Sequence, residues 1–310
     1  MNNDRFYSLN SYLKKKFGKK VYKISLDGGF TCPNRDGKIS TKGCLFCSEK
    51  GSGEFAGSRN KSITEQIDEQ LEFIKNKNND EEVIAYFQNF TNTYGDVNYL
   101  RKIYYEALNH KKVIGIAIAT RPDCLNEEIL NLLSEVNEKF FMWIELGLQT
   151  AKDNISDVIN RGYKTEVYVR ACEELYKRDI KFVTHMIVGL PYETKQDLLD
   201  TVDLINSVHS WGIKIHLLYI LKNSRLEKYY NEHKFKIYEK NEYTDIIIEL
   251  LERLNPEIII HRLTGDAKKE DLFLPMWSAD KRSVLNEIQK KLKNYNTYQG
   301  RDYNERNIKN

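Results

Sequence analysis

Cys32, Cys44 and Cys47 follow the pattern C-x11-C-x2-C, which puts three of the chain's five cysteines within sixteen residues. Thiolate sulfur is a ligand for zinc and for iron–sulfur clusters. Structural zinc normally takes four protein ligands, yet no other Cys or His lies between residues 1 and 109. A fourth ligand would have to come from a distant element, with His110, Cys124 or His185 as candidates. A [4Fe–4S] cluster on three cysteines instead leaves one iron open, and an open iron binds a substrate or cofactor. Buried or incidental thiols are the third reading, and the spacing leaves all three standing. An odd cysteine count in a chain this large argues against a disulfide framework.

Other residue types stand out where apolar runs end. Glu145 lies inside FFMWIELGL (140–148), where an acid is costly unless paired. Two bound ribose hydroxyls would explain it, and so would a structural salt bridge. Gln149 follows at the end of the same run. Arg121 precedes Pro122, and its guanidinium could hold a carboxylate or phosphate bidentately or pair with a loop acid. YFQNFTNTY (86–94) closes another run with amides and hydroxyls, which suit either a ligand or a turn satisfied by its own side chains. His185 and His216 are expected to be satisfied core residues, Cys124 a small buried thiol, and Cys172 an inert helix thiol.

The elements that must position these residues alternate regularly. Strands are expected at 21–26, 83–88, 113–119, 140–146, 181–188 and 213–220. Ser62 to Glu65 forms a capping box ahead of Ile63, Ile67, Leu71 and Ile74 at helical spacing. Further helices are expected from Val97, from Asn126, from a Thr165 cap to about Arg178, from a Thr194 cap to near Trp211, and over 244–254. Six strand–helix units imply an α/β fold, a parallel sheet forming a partial (β/α)6 barrel rather than a closed eight-fold one. The cysteine loop follows the first strand, at the end where barrel chemistry gathers. Residues 1–255 are read as the core. Residues 256–310 are read as a small C-terminal extension, with a strand-like 257–261, a polar helix from about Lys281 and a basic tail. His261, Arg262 and Asp266 in that extension either close the cavity mouth or cap structure.

Composition narrows the class. The 310 residues are 41% hydrophobic and 30% charged, enough for a sizeable core and unlike a disordered chain. No apolar stretch reaches the roughly 18–20 residues of a membrane helix. MNNDRFYSLN has no apolar leader region, so a cytoplasmic protein is expected. A net charge of +3 neither demands nor forbids nucleic acid. Lys14, Lys15, Lys16, Lys19, Lys20 and Lys23, with the basic stretch 281–309, are either solvated surface or phosphate contacts.

The cysteine loop on a partial barrel resembles the radical S-adenosylmethionine (radical SAM) superfamily. The closer resemblance is to its YtqA- or YhcC-like bacterial branch. The carriers are LDGGFTCPNRDG (26–37), GCLFC (43–47), GSGEFAG (51–57), YFQNFTNTY (86–94), ATRPDCL (119–125), ELGLQT (145–150), INRGY (159–163), HMIVGLPYET (185–194), GIKIHLLYILKNS (212–224) and HRLTGD (261–266). The usual superfamily spacing is C-x3-C-x2-C. A longer first gap also occurs in the catalytic subunit of elongator, a tRNA-modifying enzyme. Tyr163 stands where the branch often carries histidine.

The resemblance implies that Cys32, Cys44 and Cys47 hold a [4Fe–4S] cluster whose open iron chelates the amino and carboxylate groups of SAM. It implies Phe46 beside the adenine, Gln88, Thr91 and Asn92 near the SAM amino group, Arg121 on a carboxylate, Glu145 and Gln149 at the ribose, and Gly189 against the adenine through its backbone. One electron then cleaves SAM to a 5′-deoxyadenosyl radical, with a flavodoxin- or ferredoxin-type donor as partner. The branch has been linked to tRNA wobble-uridine modification, shortening a carboxymethylaminomethyl group toward aminomethyl. A small-molecule or protein substrate is the alternative within this chemistry. Outside it stands a zinc- or cluster-containing binding protein without radical chemistry.

Overall fold

The expected alternation of apolar runs and amphipathic stretches resolves into one curved parallel sheet with helices outside it. The computed structural model describes residues 5–51, 53, 56–74, 82–265 and 267–304. Ser52, Glu54 and Phe55 of the glycine-rich GSGEFAG, Asp266 and the last six residues of the basic tail lie outside the described residues.

The chain enters through α1 (Leu9–Phe17) and β1 (Tyr22–Leu26), followed by α2 (Ile63–Ile74), β2 (Val83–Phe87) and α3 (Val97–Leu108). Next come β3 (Val113–Thr120), α4 (Glu127–Lys139), β4 (Phe141–Gln149), α5 (Asp153–Val158) and α6 (Thr165–Lys177). β5 (Phe182–Val188), α7 (Lys195–Ser207), β6 (Gly212–Leu217), β7 (Ile220–Leu221), α8 (Arg225–His233) and α9 (Lys240–Arg253) continue the chain. β8 (Ile259–Arg262), β9 (Leu272–Leu274) and α10 (Lys281–Asn294) complete it. The main sheet runs β1-β2-β3-β4-β5-β6-β8, every pair parallel, as an open half-barrel.

Both faces of the sheet are covered, so its strands read as nearly continuous apolar runs. Alternate residues serve different layers. In β4, Met142, Ile144, Leu146 and Leu148 pack outward in the large helix-facing core. Trp143 turns inward and joins Ile84, Ala117 and Val183 in a second cluster that fills the lower half-barrel. α1, which was not foreseen, contributes Leu13 to that inner cluster, while its Tyr12 ring meets Trp211 edge-on at 5.1 Å. Ser8 caps α1 by accepting from Ser11 N–H, and Gly18 ends it at φ +73°.

The α/β half-barrel expected from the sequence is present, with one more strand than the six expected. β8 comes from the segment read as an extension and pairs with β6. Its other edge is met by the N-terminal segment, where Ile260 N–H donates to the Tyr7 carbonyl at 2.7 Å. The strand-like 257–261 marks the element itself, but its place beside β6 is a long-range pairing that local periodicity does not report. Three local expectations also change. Lys164, not Thr165, is the cap residue of α6, since the Thr165 hydroxyl donates to the Ala151 carbonyl instead. α7 stops at Ser207, short of Trp211, and His209 at φ +58° turns the chain into β6. The Lys- and Tyr-rich stretch 222–241 contains α8, and a Glu239–Glu242 capping box starts α9 at Lys240, ahead of the expected residue 244. Among the described residues no helix is long and apolar enough to cross a membrane.

Candidate active site

The cysteine loop leaves β1 at the C-terminal edge of the half-barrel. Its eleven-residue gap closes on itself through the backbone. Arg35 N–H and Asp36 N–H donate to the Cys32 carbonyl at 2.8 and 3.1 Å, and Gly43 N–H donates to the Asn34 carbonyl at 2.6 Å. Cys44 is thereby returned beside the turn that begins at Cys32, and Cys47 N–H donates to the Cys44 carbonyl at 3.2 Å. The turn after α5 holds this loop from outside. Leu45 N–H donates to the Ile159 carbonyl at 2.8 Å, Asn34 Nδ2 to the Asn160 carbonyl at 2.7 Å, and Asn160 Nδ2 to the Gly43 carbonyl at 2.7 Å. Gly43 sits at φ +72°, and a Cβ there would fall 2.9 Å from Arg35 Nε, so both conformation and space call for glycine.

All three cysteines line one cavity of about 400 Å³ that opens at this edge. Three cysteines on one cavity suit a [4Fe–4S] cluster that takes them on three of its irons and leaves the fourth open. Burial, then the neighbouring Cys47, pushes the Cys44 thiol up to about 12, against the opposing pull of Arg121 and Asn34. A cationic metal centre reverses that balance and deprotonates its thiols.

Of the residues expected at a cofactor, Phe46, Gln88, Thr91, Arg121, Glu145 and Gln149 line the same cavity. Thr91 Oγ1 is buried there with no protein partner among the described residues, a hydroxyl left for a ligand. The Gln88 side-chain oxygen accepts from the Ser25 hydroxyl at 2.8 Å. Asn92 and Gly189 do not line this cavity. Asn92 turns into the sheet and donates from Nδ2 to the Ala119 carbonyl at 2.9 Å. Gly189 N–H donates to Glu193 Oε2 at 3.2 Å and borders a separate, smaller pocket with Tyr192 and Tyr238.

Arg121 is bidentate to Asp123 at 2.9 and 2.7 Å and donates to the Arg161 carbonyl at 2.9 Å, which is the ion pair with a loop acid. Arg161 is itself buried, donating to the Leu148 and Thr150 carbonyls at 2.6 and 2.8 Å. Tyr163 lies between the two guanidiniums, each 4.7 Å from its ring, and donates its hydroxyl to the Gly147 carbonyl at 2.8 Å.

Deeper in the cavity, Glu145 is fully buried and its carboxylate is met by this chain's own donors. Lys23 Nζ lies at 3.0 Å, His185 Nε2 at 2.9 Å and Trp143 Nε1 at 3.2 Å, with Lys214 Nζ bonded to Oε2. This is the paired-acid arrangement left open by the sequence. Burial alone would raise the Glu145 carboxyl, but Lys214, Lys23 and His185 hold it well below the carboxylate range. Burial and the Lys214 charge lower His185 to about 4, so the ring is neutral. Tyr86 faces both ammoniums, its ring centroid 4.0 Å from Lys23 Nζ and 4.5 Å from Lys214 Nζ.

Sequence reasoning missed Lys23, Tyr86, Arg161 and Lys214 as cavity residues, placed Arg262 at the cavity mouth or in a structural cap, and took His185 and His216 for core. Lys23 in YKISL and Lys214 in GIKIHL carried the signal that drew attention to Glu145, an ionisable group inside an apolar strand.

The sequence profile of the Radical SAM superfamily matches residues 34–205, and that of the Radical_SAM C-terminal domain matches 210–294. The chain is 41% identical over 297 residues to YtqA of Bacillus subtilis (strain 168), covering 96% of this chain and 92% of that one. It is 35% identical over 281 residues to YhcC of Escherichia coli (strain K12), covering 90% of each. Among solved structures it is similar in fold to the archaeal Methanocaldococcus infernus Elp3 with an N-terminal deletion. That likeness has a TM-score of 0.70 at 15% identity, and it spans 90% of this chain and 64% of that one.

Proposed function

Because the chain belongs to the radical SAM superfamily, and within it to the family of YtqA and YhcC, we propose that it acts on tRNA, shortening a wobble-uridine carboxymethylaminomethyl side chain toward aminomethyl. It is a radical SAM enzyme, with a [4Fe–4S] cluster and S-adenosylmethionine as its cofactors. When bound, the cluster supplies the electron that cleaves SAM to methionine and a 5′-deoxyadenosyl radical.

The chain's own residues do the placing. Cys32, Cys44 and Cys47 hold the cluster at the cavity edge, on a loop fastened by Asn34 and Asn160. Thr91, Gln88 and Gln149 offer polar groups to SAM, and Phe46 offers a ring face to its base. Gly147 keeps the β4 end open, since a Cβ there would approach Gln149 Nε2 to 2.9 Å and Tyr163 Oη to 3.2 Å. Asp123 and Tyr163 fix Arg121 beside this space, where it can accept an anionic group. Enclosing the radical and excluding water are the remaining tasks of the barrel. A flavodoxin- or ferredoxin-type protein is the proposed electron donor.

One observation carries the chemistry: three thiols separated by a long gap face one cavity at the C-terminal edge of a parallel half-barrel. The tRNA reading is supported by the family resemblance. Mass spectrometry of tRNA nucleosides from a strain lacking the gene tests it. Carboxymethylaminomethyluridine should accumulate, and the intact gene should reverse this while a Cys44→Ala gene should not. An unchanged wobble profile would remove the tRNA reading and leave the radical chemistry standing.

A further inference from the structure

His185 stands in the cavity wall with one ring nitrogen bonded and the other open. Its Nε2 lies 2.9 Å from Glu145 Oε2. Glu145 is ionised, so its oxygens accept, and Nε2 is the ring nitrogen that carries the hydrogen. Burial and the Lys214 charge keep the ring neutral. A neutral imidazole with its hydrogen on Nε2 carries a lone pair on Nδ1. The carboxylate therefore fixes both the orientation of the ring and its tautomer.

Among the described residues no donor reaches that lone pair. His216 Nε2 and both nitrogens of His261 are buried without a partner, whereas His185 Nδ1 keeps accessible surface. The His185 side chain is 18% exposed and lines the cavity beside His216, whose ring centroid is 5.2 Å away. The charged neighbours Lys23 and Lys214 bond to Glu145, and Lys214 also donates to the Tyr86 hydroxyl at 3.2 Å. A fixed acceptor left open to a cavity suits a ligand that brings a hydrogen to it.

Depth favours substrate over SAM as that ligand. His185 precedes the end of β5 by three residues, about 10 Å at about 3.3 Å per residue. The cysteine loop leaves from the end of β1, so SAM with its amino group at the open iron is anchored at the edge. A macromolecular substrate must share a cavity of about 400 Å³ with SAM, so a side chain is the part that reaches His185. The carboxymethylaminomethyl side chain has one N–H centre, the amine between its two methylenes.

We propose that His185, held by Glu145, presents Nδ1 as the acceptor for the side-chain amine N–H of the substrate, and so selects an amine over an oxygen at that position. Naming that amine rests on the tRNA reading above. An ether oxygen in its place would set a lone pair against a lone pair and leave the nitrogen unpaired. His185 touches substrate, and Glu145 acts through it as a positioning residue.

The test compares two anticodon stem-loop RNAs on the anaerobically reconstituted holoenzyme with SAM, before any reductant is added. One carries carboxymethylaminomethyluridine, and the other has oxygen in place of the side-chain amine. Their carboxylates and phosphates are identical, so the affinity ratio isolates the amine. The amine RNA should bind about tenfold more tightly. His185→Gln keeps a donor for Glu145 and loses the ring acceptor, so it should bring the ratio toward one. His185→Asn places an amide oxygen near the Nδ1 position and should keep most of the ratio. Iron content and melting midpoint identify a variant that has lost its fold, and the other variant then decides. A wild-type ratio near one, or a ratio unchanged in His185→Gln, overturns the proposal. SAM affinity is measured alongside, and a loss there in His185→Gln that matches the loss for the amine RNA assigns Nδ1 to the adenine amine and also overturns it. Dithionite is then added and conversion of the amine RNA is scored. Conversion with a wild-type ratio near one sinks the His185 acceptor alone, whereas neither conversion nor binding sinks the tRNA reading and the amine named from it.

Discussion

Cys44 and Glu145 show how surroundings push two acidic side chains in opposite directions. The Cys44 thiol is buried next to two others and resists ionising until a metal centre supplies positive charge. Cys44→Ala should therefore cut reconstituted iron from about four per chain to well under one. An iron assay checks this, and full iron retention would remove Cys44 from the ligand set. Glu145 is ionised because its cations hold it so. Glu145→Gln strands Lys214 and Lys23 without their anion. Its cost should be about 3–5 kcal/mol, and Lys214→Met in the same chain should recover part of it. Urea denaturation of the two variants measures both values. Equal stability of the single variant and the parent would show the pairing to be immaterial.

Turns between elements carry the next set of constraints. The turn after α5 holds the cysteine loop through Asn160, which sits at φ +51° and donates to the Gly43 carbonyl. Asn160→Ala loses the bond and keeps the strained backbone, a cost of about 1–3 kcal/mol. Asn160→Gly loses the bond alone. Both should lower cluster retention, and only the alanine variant should show a marked drop in melting midpoint. The turn between β5 and α7 buries Glu193, whose carboxyl is pushed from 4.5 to about 8 by burial, against the Gly189 and Leu190 N–H groups. Between those values the folded chain binds a proton that the unfolded chain releases, so stability falls as pH rises. Glu193→Gln removes that dependence. Its stability gain should be near zero at pH 4.5 and grow toward pH 8, by at most about 1.4 kcal/mol per unit. A gain independent of pH in denaturant titrations would show the carboxyl ionises normally.

At the scale of the molecule, the two chain ends close the open side of the sheet. Tyr7 pairs with β8, and the Gln299 side chain accepts from Tyr7 N–H at 2.9 Å and donates to the Ile258 carbonyl at 2.8 Å. Residues 1–255 alone would expose the β6 edge and the face of α9 that meets α10. That fragment should be insoluble or aggregate on purification, and a monomeric, cooperatively melting fragment would show the boundary to be real. Leu13 of α1 fills the lower half-barrel, so Leu13→Ala should cost about 2–4 kcal/mol in chemical denaturation.

The residue order alone determined the strand–helix alternation, the parallel sheet and the loop that carries Cys32, Cys44 and Cys47. Each is written locally, in β-branched runs, capping residues such as Ser62 and Thr194, and cysteine spacing. The same local signal singled out Glu145. Only the folded chain decided that Glu145 faces Lys23 and Lys214, residues 122 and 69 positions away. It alone closed the eleven-residue gap with Asn160, turned Asn92 and Gly189 away from the cavity, and brought β8 into the sheet. Periodicity reports which face of an element is apolar. Which elements share a cavity depends on sheet order and on how side chains from separate strands meet inside the curve, and no window of sequence contains that information.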